Sequence, residues 1–154
     1  MDIYDFIGHG KRVVLDVGTP YCKPCKGLSA FFATGDSSST TVHSPDPLTS
    51  FAWWKDEYEV ILDQINSGEL YWITVVWASC DPDKGNPVDA KAAVDWHDEW
   101  PNPNITVLVD PDCKLKDYIN LGAMPHIDVL DENLVFTTYA TNGPVPAMKA
   151  LTAP

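Results

Sequence analysis

The sequence predicts an α/β layered fold with a mixed central sheet, on three observations. Apolar strand-like runs alternate with helical patterns in the order β, α, α, β, α, β, α, β, β, α, which is the signature of strands covered by helices. The last two strands read as a hairpin across the short "DEN" turn, so at least one strand runs antiparallel to the rest. Finally, the stretch "VVLDVGTPYCKPCK" puts a C-x-x-C where the first strand gives way to the first helix.

Each element has a local reason. Residues 12–17, "RVVLDV", are a short buried strand. Residues 22–33 are a helix, with Pro24 in the first turn, where a missing N–H costs least, and Gly35 as its stop. Residues 36–50, "DSSSTTVHSPDPLTS", are rich in Ser, Thr and Pro and read as an inserted loop. Its length makes it either functional or mobile, and a solvated spacer is the simplest reading. Ser50 or Thr49 is placed to cap a helix over 51–66, where Phe51, Trp54, Tyr58, Ile61, Leu62 and Ile65 share one face. Gly68 closes that helix. Residues 70–79, "LYWITVVWAS", carry the strongest strand pattern. The stretch 88–100 is helical, with Val88, Ala92, Trp96 and Trp100 along one side. A strand over 105–110 and a short helix over 113–121, ending at Gly122, follow. The hairpin strands are 126–131 and 134–140, and 145–152 form a last helix. No repeat or linker interrupts the pattern, so residues 1–154 form a single domain.

Composition narrows the function classes. The chain has 154 residues, 45% of them hydrophobic and 21% charged, the balance of a globular domain with one core. Its net charge is −12, with ten basic residues scattered along the chain. Nucleic acid and anionic membrane surfaces both need clustered Lys and Arg, so neither is an expected partner. No apolar run reaches the length of a membrane span, so no membrane insertion of this domain is expected. The start "MDIYDFIGHGK" lacks the basic-then-apolar pattern of a targeting segment.

The C-x-x-C carries the chemistry. A helix N-terminus presents unpaired N–H groups and partial positive charge, so a thiolate at Cys22 is stabilised and its pKa depressed. Lys23 adds a nearby cation. Cys22 is therefore the expected nucleophile, and Cys25, one turn further in and partly covered, the resolving thiol. A structural zinc site needs four ligands, but Cys80 and Cys113 are lone and His9, His43, His97 and His126 show no ligand spacing. No metal or other cofactor is expected.

With strand, turn and helix so placed, the chain resembles the thioredoxin-fold redoxins, more narrowly the extracytoplasmic TlpA/ResA-like thiol–disulfide oxidoreductases. The resemblance rests on "VVLDVGTPYCKPCK", on "ITVLVDPDCKLKDYINLG", and on "YINLGAMPHIDVLDENLVF" with its Gly-x-x-Pro entry. It covers most of residues 8–140 and implies a thioredoxin fold, with the 36–50 loop inserted and an extra βα segment. It further implies Cys22 and Cys25 as the redox pair, exchanging electrons with protein disulfides or dithiols and with an upstream thiol–disulfide redox partner. Asp16 falls where thioredoxins keep a buried carboxylate that exchanges a proton with the resolving cysteine; an Asp that merely ends a strand is the plainer alternative. Pro125 matches the cis-proline facing the dithiol, leaving the Met124 backbone to pair with an extended substrate. Tyr21 and His126 complete the expected substrate-binding set. They depart from the family's usual Trp before the first cysteine and Thr after the proline. Gly18 likewise replaces a Trp. The resemblance implies an extracytoplasmic location, periplasmic or membrane-anchored, and a monomer.

Two other activities fit parts of the pattern. A peroxiredoxin-like peroxidase would use Thr19 three residues before Cys22, but it wants an arginine beside the thiolate and Arg12, the only arginine, is at the far end of the strand. A copper metallochaperone would use Cys22, Cys25 and His126 as soft ligands. Pairing Cys22 with Cys25 leaves Cys80 and Cys113 as a second, structural disulfide, since strands 70–79 and 105–110 should lie side by side and parallel with both cysteines at their carboxyl ends. Two buried, reduced thiols are the alternative.

Overall fold

A computed structural model describes residues 3–77, 88–119, 122–140 and 143–153. Among these, five strands form one mixed sheet: β1 (Arg12–Gly18), β2 (Leu70–Val76), β3 (Ile105–Val109), β4 (His126–Leu130) and β5 (Phe136–Thr138). Their order is β3-β2-β1-β4-β5, with β1, β2 and β3 parallel and β4 and β5 antiparallel to their neighbours. Four helices accompany them: α1 (Lys23–Thr34), α2 (Val60–Asn66), α3 (Ala90–Glu99) and α4 (Val145–Thr152).

Strand β1 lies in the middle, and every residue of it after Arg12 is buried. Alternation sends its side chains to two different cores. Val14 joins Trp72, Ile127 and Val129 beneath Leu28 and Phe31 of α1, Ile61 and Ile65 of α2, and Met148 and Leu151 of α4. Val13, Leu15 and Val17 join Ile73, Val75 and Leu130 on the opposite face, under Phe6 and Ile119. A third cluster packs Trp96 and Trp100 against Val76, Val107 and Cys25, which puts α3 on the same face as α1. Thus all four helices cover one face. Among the described residues, the other face is covered by the short 3-10 turns Ile3–Phe6 and Leu115–Asp117 and by Ile119.

Some element boundaries depart from the sequence pattern. The expected helix over 51–66 is helical only from residue 56, as a 3-10 turn (Asp56–Glu59) running into α2. Phe51 and Lys55 are extended instead, with φ/ψ of −89°/126° and −143°/145°. Tertiary packing of the aromatics decides this. Trp54 meets Phe31 edge-on at 5.1 Å and Tyr58 at 5.8 Å, while the Phe51 ring lies over Gly27. The apolar face is buried as expected, but by a chain that turns rather than spirals, and neither Ser50 nor Thr49 caps a helix. The short helix expected over 113–121 is reduced to Leu115–Asp117, because Cys113 takes a left-handed φ of 57° and Asp110 caps Lys114 and Leu115 from outside. The end of strand 70–79 falls partly outside the described residues.

The segment 36–50 is not a solvated spacer. It folds back on α1: Leu48 is 1% exposed within the main core, and Ser44 is buried. The Ser37 hydroxyl donates to Glu59 at 2.6 Å, and the Thr49 N–H donates to the Ser37 carbonyl at 3.2 Å. Lys23, the residue after Cys22, pairs with Asp46 at 2.9 Å. The segment packs closely on Gly27, where a Cβ would lie 3.3 Å from the Phe51 ring and in ordinary contact, at 3.6 Å, with the Asp46 carbonyl and the Leu48 backbone. Leu48→Ala should therefore lower unfolding free energy by about 2–4 kcal/mol in urea titration, as at a core position; a change below about 0.5 kcal/mol would mean a surface loop.

Candidate redox site

Strand β1 ends at Gly18, and a tight turn leads to Cys22, whose N–H donates to the Thr19 carbonyl at 3.0 Å. Cys22 is the N-cap of α1, and its Sγ accepts the Cys25 N–H at 3.2 Å. The two cysteines form a disulfide with a Cα–Cα separation of 5.3 Å. They are not equivalent. Cys22 is partly exposed, while Cys25 is 2% exposed and sits within the cluster built around Trp96 and Val76.

Gly18, where the resembled family keeps Trp, has a spatial reason. A Cβ there would lie 3.2 Å from the Cys25 Cβ and 3.4 Å from its Sγ, so Cys25 packs on bare backbone. Trp96 closes the same space from α3, fixed by its indole N–H donating to the Ser29 hydroxyl at 3.1 Å. An indole thus stands beside the cysteines, but it comes from α3.

Asp16 is buried two residues before Gly18, on the helix-covered face. Its Oδ2 accepts hydrogen bonds from the Trp72 indole at 3.3 Å and the Thr74 hydroxyl at 3.4 Å. Its Oδ1 has no partner among the described residues. Burial raises its pKa from 3.8 to about 7, against the smaller opposing effects of those two donors and of His126. This is more than an Asp ending a strand.

The Met124–Pro125 peptide is cis, as the family resemblance implies. Pro125 is buried, and Met124 packs against the cluster that contains both cysteines. Tyr21 is 74% exposed beside Cys22. So Cys22, Cys25, Tyr21, Met124 and Pro125 gather at one end of the sheet, with Asp16 beneath.

His126 does not join them as expected. Its side chain is 1% exposed and faces the opposite side of the sheet, as the pairing of His126 with Val17 requires. Its Nε2 lies 2.9 Å from Oδ2 of Asp128, itself fully buried, and Asp128 Oδ1 accepts the Ala140 N–H. The imidazole therefore offers no substrate contact and no open ligand to copper. No group of three His, Cys, Asp or Glu side chains among the described residues is arranged to hold a metal ion. Arg12 sits at the far end of β1 from Cys22, its guanidinium donating to the Ala150 carbonyl at 3.3 Å, so it does not serve a peroxidatic thiolate. Cys80 lies outside the described residues, and with it the expected Cys80–Cys113 pair. The partnership of His126 with Asp128 escaped sequence reasoning, although alternation within "HIDVL" puts both on one strand face.

The Asp16 shift makes a stability prediction. The folded state holds the proton more tightly than the unfolded chain, so this penalty is absent below about pH 4, grows as pH rises toward about 7, and is full above it. Asp16→Asn should stabilise the oxidised protein by about 2–4 kcal/mol at pH 8 and by little at pH 4, read from urea unfolding at the two pH values. Equal effects at both would refute the raised pKa.

No family model and no curated protein matches the sequence. Solved structures do match. A thioredoxin-like protein from Aeropyrum pernix superposes with a TM-score of 0.57 at 12% identity, covering 94% of this chain and 78% of that one. The exposed lipoprotein thioredoxin Etrx1 of Streptococcus pneumoniae gives 0.54 at 18% identity, covering 98% and 89%. A secreted Mycobacterium tuberculosis disulfide oxidoreductase homologous to E. coli DsbE gives 0.53 at 14% identity, covering 99% and 87%. Together with the sheet order and the helix that opens at Cys22, these likenesses show that the chain has a thioredoxin-like fold.

Proposed function

We propose that this chain is a thiol–disulfide oxidoreductase of the TlpA/ResA type, acting on protein disulfides or dithiols. The observation that carries the reading is the unequal exposure of one disulfide at a helix N-terminus: Cys22 is accessible, and Cys25 is sealed against Gly18. In the reducing direction, the Cys22 thiolate attacks one sulfur of a partner disulfide. The Cys22–partner bond forms, the partner's S–S bond breaks, and the departing thiolate takes a proton. The backbone N–H already aimed at Cys22 Sγ favours its thiolate. The Cys25 thiol then loses its proton and attacks Cys22 Sγ, closing the intramolecular disulfide and releasing the partner's second thiolate. Asp16 is the base for that second step, because its carboxyl titrates near neutrality on the face where Cys25 packs. Two electrons and two protons pass to the partner, and an upstream dithiol protein restores the reduced pair. Met124 and Pro125 offer the main-chain edge on which an extended partner segment pairs, and Tyr21 flanks it.

The S. pneumoniae neighbour is an exposed lipoprotein and the M. tuberculosis one is secreted, which supports an extracytoplasmic location here. A Cys80–Cys113 structural disulfide belongs to the same reading, since such bonds persist in oxidising compartments. It would join the chain after β2 to the chain after β3, strands that are parallel neighbours.

Cys22→Ser should abolish insulin reduction with dithiothreitol, and Cys25→Ser should accumulate mixed disulfides visible on non-reducing gels. Turnover by Cys22→Ser would overturn the nucleophile assignment. After mild reduction of the accessible pair, two thiols should titrate in denaturant before strong reduction and four after it; four at the first step would exclude the second disulfide.

A further inference from the structure

The segment 36–50 and α3 together enclose a groove of about 340 Å³ beside the redox turn. Pro20 and Lys26 form its near end, so it is continuous with the face that presents Cys22. On α3, Ala92, Asp95, Trp96 and Glu99 recur at helical spacing and line one wall, with Trp100 just beyond the helix end. His43, from the segment 36–50, lines the other side and reaches across to Glu99 at 3.8 Å. The Lys23–Asp46 pair holds the same segment against the start of α1.

The lining is unusual in its chemistry. Two indoles, 4.6 Å apart and edge to face, provide an aromatic floor. The Trp100 indole N–H is buried and finds no acceptor among the described residues. The carboxylates Asp95 and Glu99 are 60% and 33% exposed, four residues apart on the rim. The groove's own basic side chains are Lys26 at the end near the dithiol and His43 opposite Glu99, while Lys91 sits beside Asp95 at 2.5 Å. An aromatic floor ending in carboxylates suits a long side chain with an apolar stem and a cationic head, by stem packing, cation–π contact and ion pairing together. The net charge of −12 favours the approach of such a partner.

We infer that this groove receives a lysine or arginine side chain of the partner polypeptide, a few residues from the cysteine that Cys22 engages. The inference rests on the oxidoreductase reading and names its substrate class. The segment 36–50 then serves as a specificity wall, selecting basic sequence around the partner's cysteine.

The test uses reduced protein and short peptides whose single cysteine is carried as a thionitrobenzoate mixed disulfide, with chromophore release followed by absorbance. Lysine, norleucine or glutamate is placed at each of the three positions on either side of the cysteine, and rates are divided by that for N-acetylcysteine amide carried the same way. At one or two positions lysine should exceed norleucine by about three- to tenfold, and glutamate should be slowest. The double variant D95K/E99K should reverse the order at those positions. A reversal of equal charge at the other end of the sheet, D63K/E69K, should keep the positional preference. Norleucine matching lysine at every position, or loss of preference in both double variants alike, would overturn the groove in favour of general attraction to an acidic protein. If N-acetylcysteine amide releases chromophore no faster with the protein than with Cys22→Ser, the oxidoreductase reading itself fails and takes this inference with it.

Discussion

Full burial of the central strand is the constraint on which the rest depends. Strand β1 has neighbours on both edges and a core on each face, so it tolerates almost nothing that is not apolar. Asp16 breaks that rule, and the break is stable only because the protonated form, or two donated hydrogen bonds, offsets the cost of burial. The strand then stops at Gly18, where Cys25 packs on bare backbone. Acid, glycine and cysteine pair are thus fixed relative to one another by a single run of covalent geometry. The helices serve mainly to hold that run still: α1 presents the sulfurs, and α3 supplies the Trp96 wall.

Much of this was legible in the chain. "RVVLDV" before "CKPCK" set both the strand and the helix start, because the apolar run and Pro24 are strong local signals. The parallel pairing of the strands at 70 and 105 followed from the helix between them. The cis bond before Pro125 and the burial of Asp16 came from family resemblance and hold in the structure. The failures have a common cause. At residues 51–55, at 113 and at His126, the outcome was set by particular side-chain contacts: Trp54 on the distant Phe31, and, closer in sequence, Asp110 reaching to Lys114 and Leu115 and Asp128 beside the imidazole. Local periodicity carries no record of such partners.

The segment 36–50 shows how far composition misleads. Its serines, threonines and prolines suggest hydrated chain, yet one leucine and a few hydrogen bonds are enough to dock it on α1. Docked there, it doubles as structure and as the outer bank of a cleft. The Lys23–Asp46 pair then couples the two roles, because the residue it restrains lies next to Cys22.

The pair His126–Asp128 has a consequence for how the sheet assembles. Both side chains lie on the face of β4 that meets Leu15 and Val17. A slide of β4 by one residue along β1 would turn that face over and drive both groups into the aromatic layer around Trp72. There His126 and Asp128 would keep each other, but Asp128 would lose the Ala140 N–H and leave an oxygen buried without a donor, at about 1–3 kcal/mol. The correctly aligned hairpin is therefore favoured over its nearest mispaired rival. In this way a polar couple hidden behind the sheet acts as the alignment key for the strand that follows Pro125.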